Sequence, residues 1–189
     1  MEIRKQIEAS VALKRNILQD QAIIDKVERM ISLILTTYRA GGKVLFCGNG
    51  GSAADAQHLA AELSGRFYLD RPPLNAEALH VNSSFVTATA NDHAFDKVFS
   101  RMIEAVGQPH DCLLALSTSG QSANIIRALE TARNKGMKTI GMTGEKPGAM
   151  DARCDVLIHV PSSDTARIQE VHMLLGHVIC ENVEKELFS

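Results

Sequence analysis

No apolar run in this chain reaches the ~18 residues that a membrane-spanning helix needs, so no transmembrane segment is expected. The first residues, Met1-Glu2-Ile3-Arg4-Lys5, lack the apolar stretch of a secretory leader, and no signal peptide is expected. Lysines and arginines are scattered, and the formal net charge is -2. No polyanion partner is therefore implied, and binding of nucleic acid through a basic surface is not expected. The four cysteines, Cys47, Cys112, Cys154 and Cys180, form no C-x-x-C pair. Three fall in or beside expected strands and one in an apolar helix, as buried free thiols do, and a reducing cytoplasm fits them. Repeats, low-complexity tracts and an interdomain linker are absent too.

What the chain does have is the composition of a soluble globular protein, 45% apolar and 22% charged residues. Its 189 residues fit one domain, 1–189, and suffice to bury a full core. Apolar residues at helical spacing mark helices over 2–20 and 22–39, the second carrying Ile23, Val27, Met30, Ile31, Ile34, Leu35 and Tyr38 on one stripe. Gly41-Gly42 stops it. These N-terminal helices, 1–40, precede an α/β core over 41–189. Short strands are expected at 43–47, 76–80, 112–116, 138–142 and 156–160. Helices are expected at about 53–63, 84–90, 95–106, 122–135 and 164–186. Strands alternating with helices make parallel βαβ units, so the expected fold is an open five-stranded parallel sheet, doubly wound in the flavodoxin manner, with helices on both faces. Ligands of such sheets sit beyond the carboxyl ends of the strands. Two loops rich in Gly, Ser and Thr follow strands directly and belong on that edge.

In Ser117-Thr118-Ser119-Gly120-Gln121-Ser122, hydroxyls and free backbone N–H groups gather where a helix begins. Such a terminus attracts an anion, and Ser117, Thr118, Ser119 and Ser122 can all donate to phosphate oxygens. Helix capping explains one of these hydroxyls but not four. Cys47-Gly48-Asn49-Gly50-Gly51-Ser52 lacks the third glycine of a dinucleotide fingerprint. It reads either as a tight strand-to-helix turn or as a close backbone approach to a ligand, with Asn49 and Ser52 as polar contacts. Asn91-Asp92, between two helical segments, suits sugar hydroxyls or a helix cap equally.

His58 and Glu62 lie four apart on a helix and share a face, which suits either two ligands of one zinc ion or a solvated pair. More than a hundred residues on, Arg167-Ile168-Gln169-Glu170-Val171-His172-Met173-Leu174-Leu175-Gly176-His177 sets imidazoles into a helix that is apolar on most sides. Such a helix is buried, in the core or in a subunit interface. Gln169 and His177 are eight apart, about 12 Å along the axis. Both can touch one ion only if long side chains converge or different subunits supply them. His172 competes as a ligand, or is a core histidine bonded to a neighbour.

Jointly and in this order, these motifs resemble the phosphoheptose isomerase (sedoheptulose 7-phosphate isomerase) family of the sugar isomerase (SIS) domain superfamily. The resemblance spans the chain and includes Gly65-Arg66 and Arg167-Ile168-Gln169-Glu170. It implies one Zn²⁺ per subunit held by His58, Glu62, Gln169 and His177. It implies substrate contacts at Asn49, Gly50, Gly51, Ser52, Glu62, Asn91, Asp92, Ser117, Thr118, Ser119, Ser122 and Gln169. The implied catalytic pair is Glu62, taking a proton from C1 of the ketose, and His177, moving a proton between the two oxygens. A cytoplasmic homotetramer with active sites between subunits is implied, acting at the first step of nucleotide-activated heptose synthesis for lipopolysaccharide core or capsule. A branch sharing the fold binds a replication initiator and does no isomerisation. Glu62 and His177 favour the enzyme here. An isomerase of another sugar phosphate, such as a pentose 5-phosphate, is the remaining alternative.

Overall fold

Strands whose side chains are apolar on both faces must be covered on both faces, and that requirement organises this molecule. In the computed structural model, which describes residues 2–189, five strands form one parallel sheet in the order β2-β1-β3-β4-β5. They are β1 (Val44–Cys47), β2 (Ala76–Ala78), β3 (Cys112–Ser117), β4 (Lys138–Thr143) and β5 (Val156–His159). Side chains alternate between two apolar layers. Val44, Phe46, Cys112, Leu114, Leu116, Ile140 and Met142 enter one. Leu45, Cys47, Leu113 and Ala115 enter the other. The first layer is closed by α1 (Ile3–Gln19), α2 (Gln21–Arg39), α3 (Gly51–Ser64) and α7 (Thr165–Phe188). The second is closed by α4 (Ser83–Asp92), α5 (Val98–Val106) and α6 (Ala123–Asn134). Each large side chain fully buried this way contributes roughly 1.5–3 kcal/mol.

Helix starts follow side-chain caps. Asp20 accepts from the Ala22 and Ile23 N–H groups at 3.0 and 3.2 Å, so α2 begins where α1 ends. Asp164 does the same for α7. Three expectations shift. The strand expected over 76–80 ends at Ala78, where Val81 N–H turns back to the Ala78 carbonyl at 3.3 Å. This strand lies at the sheet edge, with one neighbour to hold it. The helix expected over 95–106 opens as a 3-10 turn, Phe95–Lys97. Asn91 and Asp92 do not lie between helices but form the last turn of α4, so Asp92 caps nothing there.

The final helix is not buried all round in one chain. Leu174 is 38% exposed, and it borders an apolar groove of about 340 Å³ with Ile17, Leu18, Ile24, Val27 and Ile31. His172 turns the other way, fully buried, its Nε2 facing the Thr143 carbonyl at 3.5 Å. It is a core histidine and stands apart from the other imidazoles. Cys47, Cys112 and Cys180 are buried free thiols and Cys154 is half-buried. Burial pushes the Cys154 and Cys180 thiols up to about 12.

Burial lowers the His172 imidazole from 6.5 to about 4. Between those values the unfolded chain binds a proton that the folded chain refuses. Stability should therefore fall as pH drops below 6.5, by up to about 1.4 kcal/mol per pH unit from this group. Urea midpoints measured from pH 7 to 5 should show that slope, flattened in His172→Gln. An equal slope in both proteins would contradict it.

Candidate active site

Parallel strands bring both Gly/Ser loops to one edge, and the strand order places them at the switch point. From β1 the chain crosses to β2 on one side, while from β3 it crosses to β4 on the other. The loops after β1 and β3 therefore diverge over adjacent strand ends and leave a crevice. Asn49 in the first loop and Asn124 in the first turn of α6 bridge its base through reciprocal amide hydrogen bonds of 2.9 and 2.8 Å. Sequence reasoning missed Asn124, because no local pattern links residues 75 apart.

In the loop after β3, Ser122 stands at the N-cap of α6 but its side chain makes no capping bond. Its Oγ instead lies 3.3 Å from Ser117 Oγ, which is 3.5 Å from Ser119 Oγ. Three hydroxyls thus converge at a helix N-terminus, the arrangement an anion favours over a simple cap. Thr118 is half-buried beside them.

In the loop after β1, Gly50 has φ 55°, a conformation that costs a side chain dearly, and α3 starts there without a side-chain cap. Gly51 leaves room for the Gln169 amide: a Cβ on it would lie 2.5 Å from Gln169 Nε2. Ser52 is buried in the first turn of α3. Gly51→Ala should push the Gln169 amide out of place. We expect kcat/KM to fall about 10- to 100-fold with the melting temperature nearly unchanged. Activity within twofold of wild type would show that the Gly51–Gln169 approach is not needed.

Two turns further along, α3 presents His58 and Glu62 beside His177 of α7. His58 Nε2 lies 3.0 Å from Glu62 Oε1 and 3.4 Å from His177 Nε2. One ligand atom from each of the three falls within 4.8 Å of the others. The two imidazole rings meet edge-to-face at 5.1 Å, and Phe67 packs on His177 at 5.9 Å. Three lone-pair donors converge on one point, and a single shared proton cannot satisfy them all. A divalent cation can, and two imidazoles with one carboxylate form a zinc set that leaves a position open. The donor set therefore fits the metal.

Gln169 packs against Gly51, about 12 Å before His177 along α7. The two helices run in the same direction, with Gly51 beside Gln169 and Leu59 beside Gly176. Asn91 and Asp92 are bonded to each other, Asn91 Nδ2 donating to Asp92 Oδ1 at 2.8 Å.

A buried clamp below the triad also went unread in the sequence. Glu184 of α7, 1% exposed, accepts from the Phe67, Tyr68 and Leu69 N–H groups at 2.9, 2.7 and 2.8 Å and from Arg71 Nε at 2.8 Å. Arg71 in turn donates to the Glu62 and Leu63 carbonyls at 3.0 and 2.9 Å. The clamp ties the loop that carries Phe67 to the end of the helix that carries Glu62.

Residues 7–144 match the SIS domain family model. The chain is 50% identical over 180 residues to a phosphoheptose isomerase of Mycobacterium tuberculosis, covering 95% of this chain and 92% of that protein. The chain belongs to the phosphoheptose isomerase family. A Rhodospirillum rubrum phosphoheptose isomerase is 54% identical over 157 residues, 83% of this chain and 84% of that one. The structure of phosphoheptose isomerase GmhA from Neisseria gonorrhoeae superposes with a TM-score of 0.91 at 39% identity, covering 97% of each chain. Membership makes the chain an enzyme, an isomerase, and sets the non-catalytic scaffold aside. The five-stranded parallel sheet with its N-terminal helices is the expected fold.

Proposed function

We propose that this isomerase converts sedoheptulose 7-phosphate to D-glycero-D-manno-heptose 7-phosphate through an enediolate. The observation that carries the reading is the pairing, in one family member, of a three-hydroxyl anion turn with a His58–Glu62–His177 cluster. Zn²⁺, one per subunit, is the proposed metal, with His58, Glu62 and His177 as its holders. When bound it would supply Lewis-acid stabilisation of negative charge on the sugar's oxygens.

The chain's own groups do the rest. The Ser117–Ser122 turn anchors the phosphate, and Asn49, Gly50, Gly51, Ser52, Asn91, Asp92 and Gln169 are the proposed contacts along the open-chain sugar. Glu62 takes the C1 proton and delivers one to C2. His177 moves a proton between O1 and O2. Glu62 Oε1 faces His58 at 3.0 Å while its Oε2 accepts no hydrogen bond among the described residues, so one oxygen is free to act as base.

The separation of Gln169 from the triad favours a homotetramer with active sites between subunits, in which Gln169 of a second copy meets the sugar. The apolar groove beside Leu174 offers a surface for that assembly. The product would open nucleotide-heptose synthesis for lipopolysaccharide core or capsule, in the cytoplasm. No helix among the described residues is long and apolar enough to cross a membrane. We propose 1–189 as one working domain.

The substrate is tested by comparing kcat/KM for the seven-carbon ketose 7-phosphate with that for a ketopentose 5-phosphate. The heptulose should win by at least about tenfold; a pentulose preference would redirect the reading to another sugar phosphate. The shared site is tested by mixing inactive Gln169→Ala and His177→Ala subunits. Recovered activity in the mixed oligomer is expected, and none would place the whole site within one chain.

A further inference from the structure

We propose that Lys146 supplies the countercharge for the substrate's phosphate, across a cleft that continues from the Ser117–Ser122 turn. The inference rests on the sugar-phosphate reading above and adds a binding residue to it.

The turn that receives the phosphate is neutral. Ser117, Thr118, Ser119 and Ser122 donate hydrogen bonds but carry no charge, whereas a phosphate monoester carries about -1.5 to -2 at pH 7. The N-terminus of α6 offsets only about half a charge. The remainder calls for a cation within reach of Ser119.

Lys146 lines the same cleft as Ser119. A cleft of about 220 Å³ opens beside the turn, lined by Thr118, Ser119, Glu145, Lys146, Ser162 and Thr165 among others. Its floor is stitched by backbone. Gly144 N–H donates to the Thr118 carbonyl and Glu145 N–H to the Ser162 carbonyl, each at 3.2 Å. A Cβ on Gly144 would lie 2.6 Å from the Thr118 carbonyl oxygen, so close approach is built in. The loop after β4 is thereby fixed to the phosphate turn and to the loop that enters α7.

Among the lining residues Lys146 is the one cation and Glu145 the one anion; the rest are hydroxyls, Gly144 and Ile168. Lys146 makes no ion pair among the described residues. Arg167, at the start of α7, is taken by Glu170 at 2.9 Å. Arg127 on α6 is taken by Asp96 at 2.8 Å. A lysine ammonium on its flexible stem meets a phosphate as a point charge, so it needs reach rather than a fixed fork.

The test combines steady-state kinetics with a titration of inorganic phosphate, followed by phosphorus NMR, on wild type, Lys146→Met, Lys146→Arg and Glu145→Gln. Lys146→Met should raise KM and the phosphate Kd together, by about five- to tenfold, with kcat within about twofold. High salt should shrink the difference. Lys146→Arg should restore most of the binding, and Glu145→Gln should shift KM the opposite way by removing a like charge. Unchanged KM and phosphate Kd in Lys146→Met would overturn the proposal, as would a fall in kcat at constant KM. If wild type turned over no sugar phosphate, the isomerase reading would fail by itself. The phosphate titration would then decide Lys146 alone, a fivefold weakening supporting the countercharge and no change refuting it.

Discussion

Glu62→Gln should lower kcat by about 10²- to 10⁴-fold while leaving the fold intact, the range lost when a positioned general base is removed. The side chain of Glu62 is 25% exposed and its mapped hydrogen bond is to His58 at 3.0 Å. Little of the core depends on it. The amide keeps shape and an acceptor oxygen but cannot take a proton from carbon. Because Glu62 also belongs to the proposed metal set, zinc content must be measured on the same sample. If Glu62→Gln binds zinc and is inactive, the missing group is the base. If it turns over near the wild-type rate, Glu62 is not the base and the proton-transfer scheme is wrong.

Glu184→Gln should destabilise the protein by about 3–5 kcal/mol, the cost of breaking a buried charge pair while its partner stays buried. Burial works against the Glu184 charge, but the Leu69, Phe67 and Tyr68 N–H groups and Arg71 outweigh it and hold the carboxyl down to about 2. The contribution is therefore full above the unfolded carboxylate's pKa and is lost as pH falls toward 2. A glutamine presents an NH₂ where four donors already point inward. Denaturant unfolding at fixed protein concentration measures the loss. The loop bearing Phe67 should loosen as well, so the variant should bind zinc more weakly. A loss below about 0.5 kcal/mol would mean that the clamp is not a principal tie between α7, the loop and α3.

Local patterns carried much of this structure in the sequence. Short apolar runs such as Val44–Cys47 and Cys112–Ser117 are buried on both faces, as strands covered by helices on both sides are. A Gly/Ser loop straight after each had to lie on the ligand edge. His58 and Glu62 met because four residues make one helical turn. What escaped depends on distance along the chain. Asn124 has meaning only beside Asn49, and Glu184 reads as one more solvated charge near a helix end until the 67–71 loop wraps it. Strand β2 ran short because an edge strand is held from one side only. The burial expected of the last helix reached one face of it, while Leu174 on the other face stays exposed. The separation of Gln169 from His177 was legible as arithmetic, and the parallel run of α3 and α7 gives it its consequence.

The most direct single measurement follows sedoheptulose 7-phosphate by NMR on one sample of protein, first loaded with Zn²⁺, then chelated, then reloaded. The expected result is conversion to the aldose heptose 7-phosphate that stops on chelation and resumes on reloading. No conversion by the loaded protein, or conversion at an equal rate after chelation, would contradict a metal-assisted isomerase built on His58, Glu62 and His177.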